Sequence, residues 1–122
     1  MKTKLKAALC GLGLWFMTAP ASADLIDGRA LQLYCSSANP QDEAICIVYI
    51  TGAVDAFTTA ELIAEKTNGQ KPGLCLTDDV GPDALADVTK AWLQRPETNL
   101  DFAATLLILA AVDNAYGCDK AK

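Results

Sequence analysis

Four cysteines constrain this chain of 122 residues more than any other feature of its sequence. They are Cys35, Cys46, Cys75 and Cys118, and a fifth, Cys10, lies apart near the start. The chain contains no histidine, and no two of the four are spaced Cys-x-x-Cys, so a zinc site is not indicated. In a small exported domain, an even number of cysteines predicts two disulfides.

The first 23 residues have the composition of a secretory signal peptide. Three lysines lie in the first six residues, an uncharged apolar run covers 7–18, and Ala21-Ser22-Ala23 forms an Ala-x-Ala cleavage site. We expect cleavage after Ala23 and a soluble periplasmic domain over residues 24–122. A lipid anchor on Cys10 is the alternative, although most of the apolar run follows that cysteine. The run is too short to span a bilayer and no stop-transfer segment follows, so we expect no membrane attachment of the mature form.

The composition of residues 24–122 excludes several classes of function. They carry 15 acidic and 7 basic side chains, a net charge of −8, which makes nucleic acid a poor partner. The missing histidine removes the usual general base and the usual activator of a nucleophilic thiol. The aspartates over 78–87 have neither the spacing nor the later glutamate of a calcium loop. We therefore expect no enzyme, no metal and no cofactor.

Prolines and capping residues predict four helices, and no stretch alternates apolar and polar residues as a strand would. Asp27 and Asn39 are suited to cap the first two helices, Pro40 stands at a first helical position, and the third helix follows Gly81-Pro82. The predicted spans are 28 to 34 or 35, 40 to about 66, 83–95 and about 99–116. The predicted fold class is all-α, a small four-helix domain with two disulfides.

Four features inside these helices predict how they pack. The fourth helix is uncharged from Phe102 to Val112, so it is either central or shared with a second subunit, and we favour the central position. Gly52 is costly inside a helix and predicts close helix packing. Asp55 stands in an apolar stretch and predicts a half-buried carboxylate with a hydrogen-bond partner. Trp92 is expected in the core.

Four cysteines can pair in three ways, and the positions of the helix ends favour one of them. Cys35 closes the first helix and Cys46 lies in the second turn of the next, so a short turn brings them together. Cys75 precedes the third helix and Cys118 follows the fourth, and these ends meet if the two helices are antiparallel. The predicted disulfides are Cys35–Cys46 and Cys75–Cys118.

Five segments carry a family resemblance: 27–35, 46–55, 75–76, 91–97 and 110–118. The most specific motif is Cys-x-x-Tyr-Ile-x-Gly-x-x-Asp, which begins at Cys46, and Leu-Gln-Arg-Pro-Glu over 93–97 supports it. In this order the segments resemble the Rap/Tai family of exported immunity proteins, which are paired with type VI secretion effectors. Two positions depart from the family pattern, because Val48 stands where Gly is usual and Gly117 where Pro is usual.

The resemblance implies a helical periplasmic protein that binds and plugs a peptidoglycan-cleaving amidase, often as a homodimer. From the residues alone, a small acid-stress chaperone of the HdeA type is the alternative, since such chaperones are also helical, exported and disulfide-bonded. They typically have a single disulfide, whereas this chain has cysteines for two.

A polar loop and an acidic stretch together form the predicted partner-binding surface. A protruding polar loop can enter a cleft, and carboxylates can steer it toward basic residues. The candidate residues are Asn68, Gly69, Gln70, Lys71, Asp78, Asp79, Asp83 and Asp87.

Overall fold

The computed structural model describes residues 26–120, which form four α-helices and a short 3₁₀ helix at Cys118–Lys120. The α-helices are α1 (Gly28–Cys35), α2 (Pro40–Asn68), α3 (Pro82–Leu93) and α4 (Ala104–Tyr116). Within 26–120 the only extended pairings are two isolated bridges, Asp27 with Ala103 and Leu74 with Gly117. The all-α prediction is therefore confirmed. The expected signal peptide and its cleavage site lie outside the described residues.

The first two helices begin where their capping residues predict. The Asp27 carboxylate accepts a hydrogen bond from the Ala30 amide at 2.9 Å, and the Asn39 side chain accepts one from Gln41 at 3.0 Å. Asp42 and Glu43 occupy the first turn of α2, where the helix dipole favours negative charge. The helix α2 ends at Asn68, two residues beyond the predicted end, and Gly69 follows it in the left-handed conformation at φ 72°.

The predicted start of α4 near Asn99 is wrong, because the helix begins at Ala104. The Asn99 side chain accepts a hydrogen bond from the Asp101 amide at 3.0 Å and holds a turn instead. The backbone after this turn pairs with the start of α1: Gly28 donates to the Phe102 carbonyl at 2.9 Å, and Ala104 donates to Ile26 at 3.1 Å. A tertiary contact thus replaces the first predicted turn of the helix.

The core lies where α2 and α4 cross the other helices. Cys46, Ile50 and Val54 form the buried side of α2. The helix α4 contacts each of the other three α-helices and contributes five buried residues, as a central position predicts: Ala104, Leu107, Ile108, Ala111 and Val112. The buried hydroxyl of Thr89 donates to the Leu85 carbonyl at 2.8 Å, so burial leaves this polar group paired.

Three packing predictions are wrong. Asp55 is exposed, because it follows the inward-facing Val54 and one residue turns the helix by about 100°. Gly52 is also exposed, and a Cβ there would meet nothing within 4 Å, so no helix of this chain packs closely against it. Trp92 is only half-buried and lines a surface cavity rather than the core.

Both predicted disulfides are confirmed. Cys35–Cys46 joins the end of α1 to the second turn of α2, with Cα atoms 5.1 Å apart. Cys75–Cys118 joins the segment before α3 to the residue that follows Gly117 at the end of α4, with Cα atoms 4.8 Å apart. The second bond fixes the long connection between α2 and α3 onto the end of the bundle.

Candidate partner-binding surface

The predicted polar loop is a short exposed turn at the end of α2. Asn68 is the last residue of the helix, and its side chain accepts a hydrogen bond from the Gln70 amide at 3.0 Å. Together with the left-handed Gly69, this bond turns the chain out of the helix. Gln70 and Lys71 follow, and all four residues are exposed. The loop therefore presents polar groups on a backbone of defined shape.

The chain directly after this loop is held in place from three sides. The Glu61 carboxylate accepts hydrogen bonds from the Gly73 amide at 2.5 Å and the Leu74 amide at 3.4 Å. The Cys118 amide donates to the Gly73 carbonyl at 2.8 Å, and Cys75 is covalently joined to Cys118. Leu74 is buried in the core. This tether leaves the exposed segment 69–72 between two held ends, so docking would order few additional residues.

The acidic residues continue along the chain into α3. Asp78 and Asp79 form the turn that closes with a hydrogen bond from the Val80 amide to the Thr77 carbonyl at 3.0 Å. Asp83 lies in the first turn of α3 and Asp87 lies one helical turn further on, so these two share one face. All four side chains are exposed, and none of them is in a salt bridge among residues 26–120.

The carboxylate of Asp79 has a lowered pKa. A hydrogen bond to the Thr77 side chain lowers the pKa of Asp79 below its ordinary value of 3.8, and a hydrogen bond to its own backbone acts in the same direction. The exposed turn therefore presents a carboxylate that stays charged at a lower pH than an ordinary aspartate does.

The sequence did not predict a second surface, an apolar groove along the outer side of α4. Two shallow cavities of about 360 and 310 Å³ lie beside each other there and share Leu106 and Ala110. Phe102 and Leu106 are about half exposed, at 50% and 53%. The uncharged stretch of α4 was the sequence feature that could have indicated this groove. It predicted that the helix is buried, but not which side of the helix remains exposed to solvent.

An arginine stacked on a tryptophan borders this groove. The Arg95 guanidinium lies 4.2 Å from the centre of the Trp92 ring, and both residues line the larger cavity. The turn after Trp92 is closed by Thr98, whose hydroxyl donates to the Trp92 carbonyl at 2.8 Å. The segment 93–97 therefore shapes the rim of the groove.

The groups exposed at these surfaces are polar, acidic and apolar side chains. Within the described range 26–120, no group of three or more His, Cys, Asp or Glu side chains is arranged to hold a metal ion. The four cysteines of this range are all in disulfides. The polar loop, the acidic turn and the apolar groove can supply hydrogen bonds, charge and shape to a partner.

The structure is a small helical domain in which two disulfides and the hydrogen bonds to Glu61 hold the chain beside an exposed loop at 68–71. A family model described as Rap1a immunity proteins matches residues 27–118 of the chain. The chain therefore belongs to this immunity-protein family, which confirms the resemblance to Rap/Tai proteins. No curated protein and no solved structure shows a significant match to the chain. Family membership supports the role of an immunity protein that binds a cognate type VI effector.

Proposed function

We propose that the protein is a non-catalytic periplasmic inhibitor that neutralises a peptidoglycan amidase delivered by type VI secretion. Membership of the Rap1a immunity proteins over 27–118 is the observation that carries this proposal. The basic start, apolar run and Ala-x-Ala site support export, with the mature domain at 24–122, and the periplasm is where such a toxin acts on the cell wall. We also propose that the mature protein forms a homodimer and binds neither nucleic acid nor lipid.

The polar loop is the proposed point of contact with the effector. It is exposed at 68–71, and the Glu61 hydrogen bonds and the Cys75–Cys118 disulfide hold the backbone that follows it. An ordered loop loses little conformational entropy when it enters a cleft, so more of the contact energy appears as affinity. The exposed Asp78, Asp79, Asp83 and Asp87 then steer the domain toward basic residues around that cleft. Inhibition by this route needs only that substrate be excluded.

A pull-down with the tagged mature domain tests the proposal. We expect one hydrolase to be recovered at a fixed stoichiometry, and we expect a strain that lacks the gene to be killed by a sibling armed with type VI secretion. Recovery of many acid-unfolded proteins, with client protection at low pH and undiminished survival of the deletion strain, would instead support the acid-stress chaperone.

Paired alanine variants test the loop itself. We expect Gln70→Ala with Lys71→Ala to weaken effector binding by roughly tenfold or more, as for central interface residues. The matched control is Gln94→Ala with Lys120→Ala, which removes the same two exposed side-chain types from elsewhere on the domain. Equal affinity of both variants, measured by calorimetry, would show that the effector docks on another surface.

A further inference from the structure

The two disulfides of the domain lie in different surroundings. Cys46 is 0% exposed and belongs to the hydrophobic core, and the half-buried Cys35 packs against that core. Cys75 is exposed and Cys118 is half-buried, and within residues 26–120 neither belongs to the core or packs against it. A thiolate must reach a sulfur atom to break a disulfide, so access decides which bond can exchange. Cys75–Cys118 is therefore the accessible bond.

Two backbone hydrogen bonds hold the accessible cysteines beside each other independently of the sulfur–sulfur bond. The Cys75 amide donates to the Tyr116 carbonyl at 2.9 Å, and the Cys118 amide donates to the Gly73 carbonyl at 2.8 Å. An isolated bridge lies between these two hydrogen bonds, and the Cα atoms of the two cysteines are 4.8 Å apart. Breaking the disulfide therefore leaves two thiols close together.

This proximity determines which kind of reductant can open the bond. When a thiolate attacks one of the two sulfurs, the sulfur–sulfur bond breaks, a mixed disulfide forms and the other cysteine leaves as a thiolate. A cysteine held beside the mixed disulfide has a high effective concentration, so it attacks back and expels a monothiol. The second thiol of a dithiol competes with this reversal. Two electrons and two protons then pass to the protein, which gains two thiols while the dithiol becomes a disulfide.

The accessible disulfide follows directly on the polar loop. Behind the loop, the chain is held by the Gly73 hydrogen bond to Glu61, by burial of Leu74 and by the disulfide. Hydrogen bonds and packing open and close in local fluctuations, whereas a covalent bond does not. Reduction therefore leaves 69–72 with weaker restraints. The helical core keeps its own disulfide and its buried residues, so it does not depend on the accessible bond.

We infer that Cys75–Cys118 is a redox-exchange site for a dithiol oxidoreductase, and that its reduction loosens the polar loop while the helical core stays folded. The exchange and the loosening rest on contacts within this chain alone. Their effect on inhibition rests on the proposed function, in which the polar loop contacts the effector. The redox state of the compartment would then set how much of the inhibitor is ready to bind.

Trapping of free thiols in the folded domain tests the exchange. Dithiothreitol is added to residues 24–122 without denaturant, thiols are trapped with N-ethylmaleimide, and the labelled peptides are mapped. We expect label on Cys75 and Cys118 at least roughly tenfold faster than on Cys35 and Cys46, since the core bond reacts only when the core opens. The far-UV spectrum should be unchanged at that stage. Equal rates at all four cysteines, or earlier label on the core pair, would overturn the inference.

A urea series and a monothiol are the controls for this measurement. Below the unfolding transition, urea should raise the labelling rate at Cys46 and leave that at Cys75 unchanged, because urea favours states that expose more surface. β-Mercaptoethanol at the same thiol concentration should label Cys75 far less than dithiothreitol does. Equally steep urea dependence at both cysteines would show that global unfolding exposes the bond, and equal labelling by both reductants would overturn the requirement for a dithiol.

A variant that mimics the reduced state tests the loosening of the loop. Cys75→Ser with Cys118→Ser keeps side chains of similar size but cannot form the bond. We expect the Gly73 amide, which donates to Glu61, to exchange its hydrogen at least roughly tenfold faster than in the unmodified protein. The amide of Ile108 in the buried part of α4 should be unaffected. Unchanged exchange at Gly73 would overturn the loosening.

The same serine variant separates this inference from the proposed function, and no reductant is needed that could act on the effector. We expect it to bind the hydrolase recovered in the pull-down roughly three- to tenfold more weakly than the unmodified protein, because docking must then order the loop. Equal affinity of the two proteins would overturn redox control of binding and leave the proposed function intact. Recovery of no hydrolase would instead contradict the proposed function, which the thiol trapping does not measure.

Discussion

Gly28 is the residue at which the fold tolerates a side chain least. It is buried at the start of α1, and a Cβ there would meet the Leu107 side chain and lie 2.9 Å from the Leu100 carbonyl oxygen. Because a backbone oxygen cannot move aside cheaply, we expect Gly28→Ala to lower the free energy of unfolding by about 1–3 kcal/mol. Urea unfolding of the purified domain measures this loss.

Gly52→Ala is the control, because the added methyl group enters open space inside a helix. We expect it to raise the free energy of unfolding of the dilute protein by about 0.5–1 kcal/mol, since alanine is the better helix former. If both substitutions had the same effect on stability, close packing at Gly28 would not be its cause.

The carboxylate of Asp79 gives a residue-level test of pH dependence. Its pKa in the folded protein lies below the ordinary 3.8, chiefly because of the hydrogen bond to Thr77. A lowered pKa stabilises the fold fully above the ordinary value, and this contribution is lost as the pH falls through the lowered value. We expect Thr77→Val to raise the pKa of Asp79 in an NMR titration and Thr77→Ser to preserve it. An unchanged titration in Thr77→Val would contradict the assigned cause.

At the scale of elements, the two disulfides are expected to differ in their contribution to stability. Cys75–Cys118 closes a loop of 44 residues and Cys35–Cys46 closes one of 12, from sequence separations of 43 and 11. The chain-entropy relation gives about 4 kcal/mol for the longer loop and about 3 kcal/mol for the shorter. We expect Cys75→Ala with Cys118→Ala to lower the free energy of unfolding more than Cys35→Ala with Cys46→Ala does.

Limited proteolysis separates the local effect of each bond. Loss of Cys75–Cys118 should expose the 69–72 segment to cleavage, because this bond holds the chain behind it, while loss of Cys35–Cys46 should leave that segment protected. Cleavage at 69–72 in both double variants would show that the disulfide is not what tethers the loop.

The helices were predictable from the sequence where local signals set their ends. Asp27 and Asn39 act through hydrogen bonds within a few residues, and the structure uses them as predicted. Gly69 ends α2 through its backbone conformation, although the helix includes Asn68 and so extends past its predicted end at Lys66. The start of α4 was not predictable in this way, because the Asn99 turn is completed by contacts with Ile26 and Gly28, about 75 residues earlier in the chain. Helix propensity depends on nearby residues, so it does not predict a contact with residues so far away in the sequence.

At the scale of the whole molecule, the candidate site was predictable in composition but not in shape. The loop at 68–71 and the aspartates over 78–87 are exposed as predicted, since polar loops and helix first turns belong at the surface. The hydrogen bonds from the backbone at 73–74 to Glu61 and the groove beside Trp92 were not predicted from the sequence. Both arise from which sides of α2, α3 and α4 face one another, and the periodicity of a single helix does not specify that arrangement.

The net charge of −8 over residues 24–122 is expected to govern how fast the domain meets its effector. Carboxylates attract a basic partner before the two proteins touch. Salt screens this attraction, and the screening length is about 8 Å at physiological ionic strength. We therefore expect the association rate to fall as salt rises, and to fall further when Asp78, Asp79, Asp83 and Asp87 become asparagine. Stopped-flow measurements over a salt series test this, with the dissociation rate expected to change less.

A charge-matched comparison distinguishes local steering from net charge. Asp83→Asn with Asp87→Asn removes two charges from the acidic face of α3, and Asp55→Asn with Glu97→Gln removes two from exposed positions elsewhere. If the acidic face steers association, the first pair should slow it more than the second and should reduce its salt dependence. If the two pairs slow association equally, net charge alone is responsible, and the effector contact must be assigned to the polar loop or the α4 groove without help from the aspartates.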